Sequence, residues 1–210
     1  MTRKEEANAI LSIITKMYPN ARIELNFQQD HELLFAILLS AQTTDIAVNK
    51  VTKSLFEAYN DLKDYANADL NDLENHIKTI GLYRNKAKNL QLSAKMILED
   101  YGGIIPKNQT LLEKLPGVGR KTANVYLSEL HKIPRIAVDT HVSRVSIRLG
   151  LAKKRDSVLE IEKKLMKTYP KEFWIDLHHK FIHFGRYFCT AKKPKCRECP
   201  LIHICKMPMI

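Results

Sequence analysis

Four cysteines crowd into seventeen residues near the C-terminus: Cys189, Cys196, Cys199 and Cys205, spaced C-x6-C-x2-C-x5-C, with no cysteine before them. Four thiols so close along the chain must end up beside one another whatever the rest folds into. Disulfides suit oxidising compartments, yet the start, Met1-Thr2-Arg3-Lys4-Glu5-Glu6, carries no apolar block of the kind an export signal needs. The better reading is one soft metal centre, either a tetrahedral zinc or an iron-sulfur cube held at four corners. The Cys196-Arg197-Glu198-Cys199 pair would serve either, and the two wider gaps suit the bulkier group.

Ahead of this tail the apolar residues recur at the helical period. Ala7, Ile10, Leu11, Ile14 and Tyr18 repeat at 3 and 4, as do Ala87, Leu90, Ala94, Ile97 and Leu98, then Val158, Ile161, Leu165 and Tyr169, then Trp174, Leu177, Phe181, Phe184 and Phe188. Alternating strand patterns are absent. Stops fall at Tyr18-Pro19-Asn20, Tyr101-Gly102-Gly103, Ile133-Pro134 and Tyr169-Pro170. The longest apolar run, Leu33 to Leu39, is the length of a buried helix and far short of the roughly 18 residues a bilayer crossing takes. These features predict an all-α protein of about ten helices, with no membrane partner. No long heptad pattern argues for assembly, so a monomer is expected.

The net charge is +11, and residues 151–210, with 14 basic and 6 acidic side chains, hold +8 of it. Such asymmetry favours a polyanionic partner, because each phosphate neutralised by Lys or Arg releases condensed counterions. The sharpest sign of where that partner sits is Leu115-Pro116-Gly117-Val118-Gly119-Arg120-Lys121-Thr122-Ala123. Two glycines one residue apart allow a tight turn and bring bare N–H groups close to an anion, just before an electropositive helix N-terminus. With Leu111, Leu112 and Leu115 before it, the unit is helix, Gly-rich hairpin, helix, and Arg120 raises it above an ordinary αα turn. On the second helix Ala123, Tyr126, Leu127 and Leu130 form the apolar stripe, and at 100° per residue Lys121 points about 170° from it, alongside Asn124 and Ser128. A solvated lysine is the plain reading. One turn into a helix aimed at phosphate, it is also placed to act as a nucleophilic amine.

A second constellation is Ala137-Val138-Asp139-Thr140-His141-Val142-Ser143-Arg144. Asp139 reads as a helix N-cap. A carboxylate held ionised by backbone N–H groups is equally suited to stabilise a cationic sugar or relay a proton.

These segments, together with Leu38-Leu39-Ser40-Ala41-Gln42 and Ile80-Gly81-Leu82-Tyr83, make the chain similar to the endonuclease III branch of the helix-hairpin-helix DNA glycosylases over nearly its whole length. The resemblance implies a two-lobed all-α fold: a six-helix barrel over 22–133 containing the hairpin, beside an iron-sulfur cluster lobe from 1–21 and 134–210, with the active site in the cleft between them. It implies a bifunctional glycosylase and AP lyase acting on oxidised pyrimidines in duplex DNA. Lys121 would attack C1′ of a flipped-out nucleotide and cut 3′ to it by β-elimination through a Schiff base, with Asp139 assisting. Gln42 would fill the vacated space and Leu82 wedge the opposite strand, although from the residues alone Gln42 reads as a polar helix end and Leu82 as core. Gly117, Gly119, Arg120 and His141 would join the DNA contacts. On the same footing the four cysteines would hold a [4Fe-4S] cluster, pinning a basic loop with Lys192, Lys193 and Lys195 against phosphates. A monofunctional adenine glycosylase is disfavoured by Lys121 and by Ile37, where that group places a glutamate. A cytoplasmic, nucleoid-associated enzyme is expected.

Overall fold

The computed structural model describes residues 2–209, and no strand occurs among the described residues. As the 3-4 periodicity predicts, the chain is all-helical: eleven α-helices, two 3-10 segments and one π segment among the described residues. They fall into two compact units, one built from the segments up to Ile23 and from Lys132 onward, the other from Glu24–His131. No helix of the described residues is long and apolar enough to cross a membrane.

The first unit begins with α1 (Arg3–Met17), opened by a reciprocal capping box in which Thr2 Oγ1 accepts from the Glu5 amide and Glu5 Oε2 accepts from the Thr2 amide at 2.7 Å. Its buried residues, Ala7, Ile10 and Ile14, keep the predicted spacing of 3 and 4. They meet α9 (Thr140–Arg148), α10 (Val158–Thr168) and α11 (Trp174–His183) in one core containing Val142, Val145, Leu165, Leu177, Phe181 and Phe184. Burying each such side chain stabilises by about 1.5–3 kcal/mol. The Tyr169 hydroxyl, buried at the end of α10, donates to the Ala7 carbonyl at 3.1 Å and so ties α10 to α1.

The second unit holds α2 (Asp30–Leu39), α3 (Asp45–Ala58), α4 (Leu62–Asn67), α5 (Leu70–Ile77), α6 (Tyr83–Tyr101), α7 (Gln109–Leu112) and α8 (Arg120–His131). Helix α2 is buried on every side from His31 to Leu39, as an all-round apolar helix must be, and packs against α3, α6 and α8. Thr44, Asp61, Asp69 and Asn108 cap α3, α4, α5 and α7, each side chain accepting an amide of the first turn. Helix α6 ends where Gly102 takes a left-handed φ of 61°, a conformation that suits glycine.

The last aromatic series departs from a single helix. Helix α11 stops at His183, and 184–188 forms a π-turn in which the Cys189 amide reaches back to the Phe184 carbonyl at 2.7 Å. Two interactions that 3-4 spacing does not encode hold it. Arg144 Nη2 donates to the Gly185 carbonyl at 2.6 Å, and Gly185 lies so close to α9 that a Cβ there would stand 3.0 Å from His141 Cβ.

Candidate nucleic-acid interface and metal centre

In the hairpin, Leu112, Leu115 and Val118 are buried and anchor the turn from beneath, while Ser93 on α6 donates to the Pro116 carbonyl at 2.9 Å. The two glycines do different work. Gly117 has φ 79°, and a Cβ on it would come within 2.5 Å of Asn89 Nδ2. Gly119 has an ordinary φ and nothing within 4 Å of where its Cβ would be, so the fold demands glycine at 117 and leaves the face at 119 open to an outside group. Helix α8 starts at once afterwards with Arg120 and Lys121, both exposed, and has no acidic residue in its first turn. From Ala123 to Ser128 every residue is buried, including Asn124 and Ser128, which the helical wheel puts on the Lys121 side. The exposed residues of α8 are Arg120 and Lys121 in its first turn, which offers cations and helix-terminal N–H groups together, the chemistry of an anion site.

Gln42 and Leu82 share a backbone peculiarity. Among the described residues only three non-glycines have positive φ, and these two, at 55° and 60°, are the first and second along the chain; Lys132 is the third. Such a conformation costs an L-residue on the order of 1 kcal/mol. Leu82 is 56% exposed at the N-cap of α6, which overturns the core reading that its apolar side chain suggests. Gln42 is exposed in the turn that follows α2.

In the first unit Asp139 is the N-cap of α9, its Oδ1 accepting from the Val142 amide at 2.8 Å. Two residues on, His141 Nδ1 lies 3.1 Å from Arg144 Nη2; since arginine can only donate, Nδ1 accepts. Burial lowers the His141 pKa, Arg144 and Arg186 reinforce the shift, and Asp139 opposes it.

One turn apart on α9, Arg144 and Arg148 grip the start of the cysteine loop. Arg144 Nε donates to the Cys189 carbonyl at 3.0 Å. Arg148 Nη1 donates to the Thr190 carbonyl at 2.7 Å and approaches Cys189 Sγ at 3.3 Å, and its Nη2 donates to the Ala191 carbonyl at 3.1 Å. Sequence reading missed this pair; the available signal was two arginines at i, i+4 ahead of a cysteine cluster. All four cysteines are free thiols, half-buried, and line one small pocket with Leu149, Phe184 and Phe188. Burial, and then the neighbouring sulfurs, push the Cys199 and Cys205 thiols up. Among the described residues no three His, Cys, Asp or Glu side chains converge closely enough for a single ion. Lys192, Lys193 and Lys195 are all exposed on this loop, the Lys195 ammonium 5.9 Å from the centre of the Phe188 ring.

Residues 35–171 match the HhH-GPD superfamily of base excision DNA repair proteins. The endonuclease III of Bacillus subtilis is 52% identical over 98% of this chain and 94% of its own length. A solved structure of a trapped endonuclease III-DNA covalent intermediate superposes with a TM-score of 0.95 at 52% identity, covering 98% of this chain and 97% of that one. A thermostable thymine-DNA glycosylase, only 22% identical, has the same fold with a TM-score of 0.87. The chain belongs to the endonuclease III family of base excision DNA repair enzymes.

Proposed function

We propose that Lys121 is the nucleophile, and Asp139 its acid-base and electrostatic partner, in a DNA glycosylase and AP lyase acting on oxidised pyrimidines in duplex DNA. The observation that carries this reading is the first turn of α8: an exposed Lys121 behind a hairpin whose Gly119 has no internal reason to lack a side chain. The Lys121 amine forms a bond to C1′ of an extruded nucleotide, the glycosidic bond breaks, and the base departs with its electron pair. Opening of the sugar leaves a protonated Schiff base. Loss of a C2′ proton then expels the 3′ phosphate, which cuts the strand. Asp139, fixed by the Val142 amide, offsets the positive charge that develops on the sugar and shuttles protons. A base inside a duplex is out of reach, so extrusion costs a few kcal/mol, less at a damaged pair. Gln42 fills the gap and Leu82 wedges the opposite strand. Gly117, Gly119, Arg120 and His141, with Lys192, Lys193 and Lys195, hold the backbone.

Cys189, Cys196, Cys199 and Cys205 would hold a [4Fe-4S] cluster. Four half-buried thiols lining one pocket with Leu149, Phe184 and Phe188 are the soft donors at four corners that such a cluster takes. When bound, the cluster supplies structure, neutralising thiolates and stiffening the basic loop. We also read 22–133 as the six-helix barrel lobe and 1–21 with 134–210 as the cluster lobe, and the enzyme as a cytoplasmic, nucleoid-associated monomer. The relative captured as a covalent DNA intermediate supports the lysine chemistry. Borohydride trapping on duplexes containing thymine glycol or an abasic site tests it: a covalent adduct is expected from this chain and none from Lys121→Gln. An undiminished adduct in that variant would sink the assignment.

A further inference from the structure

Lys86 lies near the start of α6 and is 4% exposed, an unusual place for an ammonium that has no carboxylate partner among the described residues. Its Nζ donates to the Leu39 carbonyl at 2.9 Å and to Thr43 Oγ1 at 2.8 Å. The same Thr43 hydroxyl lies 3.3 Å from the Ala41 carbonyl, to which it donates. That carbonyl belongs to the peptide joining Ala41 to Gln42, so a chain of two hydrogen bonds runs from Lys86 to the peptide plane that sets the left-handed φ of Gln42. The Lys86 amide also makes the ordinary i→i−4 helix bond to the Leu82 carbonyl at 3.0 Å, so the side chain is anchored one helical turn from Leu82. One residue thus touches both strained turns, the one after α2 and the one before α6.

We propose that Lys86 is a positioning residue: it braces the Gln42 and Leu82 turns in fixed register so that both side chains enter DNA without first being ordered. The proposal rests on the reading of Gln42 and Leu82 as the inserting residues. Its physical basis is preorganisation. Each turn holds an L-residue in a conformation that a free loop would leave, and an unbraced loop would have to be ordered during extrusion of the nucleotide. The ammonium also sits at the C-terminal end of α2, where it satisfies a terminal carbonyl and complements the negative end of the helix dipole. Desolvation of that charge works against the fold. A methionine at this position would avoid that penalty but would leave the Leu39 carbonyl without this donor, so trapping on a single-stranded substrate is the control for a purely structural role.

The test is a double-mutant cycle read by single-turnover borohydride trapping, with Lys86→Met, Gln42→Ala and the double variant on an abasic duplex and on a single-stranded abasic oligonucleotide. Each single substitution is expected to slow duplex trapping about tenfold. The double variant should be no more than about twofold slower than Lys86→Met, because the two residues act through one turn. On single-stranded DNA, which has no stack to fill or wedge, Lys86→Met should trap at the parent rate. A double variant slowed about a hundredfold, the product of independent effects, overturns the proposal and leaves the reading of Gln42 intact. So does a Lys86→Met loss of equal size on both substrates, which marks a general structural role. A parent rate for both Gln42→Ala and Leu82→Ala on duplex overturns that reading itself, and the proposal with it. If Lys86→Met does not fold, Thr43→Val severs the same relay at a half-buried position, and its cycle with Gln42→Ala carries the same expectations.

Discussion

The two units hold their candidate functional residues in different ways. In the unit of residues 24–131 the presenting residues are set by backbone conformation: Gln42, Leu82 and Gly117 all have positive φ at the ends of helices or in the hairpin, and buried side chains support each turn from beneath. In the other unit the cysteine loop has little regular structure, only the 3-10 turn Cys196–Glu198, and is gripped from α9 by the guanidiniums of Arg144 and Arg148. The first arrangement persists as long as its helices do. The second depends on side-chain chemistry, on charge and on whatever the four sulfurs bind, and is expected to fail first.

The largest expected effect separates capping from chemistry at Asp139. Asparagine caps a helix about as well as aspartate, so Asp139→Asn should keep the parent melting temperature while slowing base release by about 10²–10⁴-fold, the usual worth of a positioned acid-base group. A normal rate would reduce Asp139 to a cap. Next comes the loop. Cys199→Ser should abolish the absorbance near ~400 nm typical of thiolate-ligated iron and make residues 189–209 sensitive to protease, while the unit of residues 24–131 keeps its protection against hydrogen exchange. If that unit opened as well, the contrast drawn above would break.

A smaller effect concerns pH. His31 on α2 is buried with its Nε2 lacking a hydrogen-bond partner, beside Phe35 and Tyr65 with ring centres 6.0 Å away in each case. Burial lowers its pKa, and Glu32, Asp61, Asp30 and Asp64 only partly oppose that. The folded state therefore binds fewer protons than the unfolded one below the unfolded value near 6.5. Stability should be fully present above that pH and fall as the pH drops through it. Melting curves at pH 7.5 and 5.5 should show the loss, and His31→Phe should flatten it; an unchanged slope would acquit His31. The smallest effect tests the strained turns. Leu82→Asn, a residue that tolerates left-handed φ, should raise stability by up to about 1 kcal/mol while weakening duplex binding. Lower stability would show that Leu82 contributes to the fold.

Much of this was legible along the chain. The spacing of Ala7, Ile10 and Ile14 placed α1, Asp139 before Thr140 announced a cap, and Gly117 marked a turn, because helix periodicity, capping and positive φ are local properties carried by a few neighbouring residues. The short helix α7 is announced by Leu111, Leu112 and Leu115, and side-chain caps at Asp61, Asp69 and Asn108 open α4, α5 and α7. Leu82 looked like core because hydrophobicity is a property of a residue type, whereas exposure is a property of a position.

What the sequence alone determined is an all-helical chain, with a hairpin suited to phosphate and four thiols obliged to meet. Only the tertiary structure decided that the last aromatic helix breaks into a π-turn against Arg144, that Arg148 reaches Cys189, and that Lys86 spans 47 residues of sequence to Leu39. Those are contacts between residues remote along the chain, and their free energies depend on distance and burial, which no local pattern encodes.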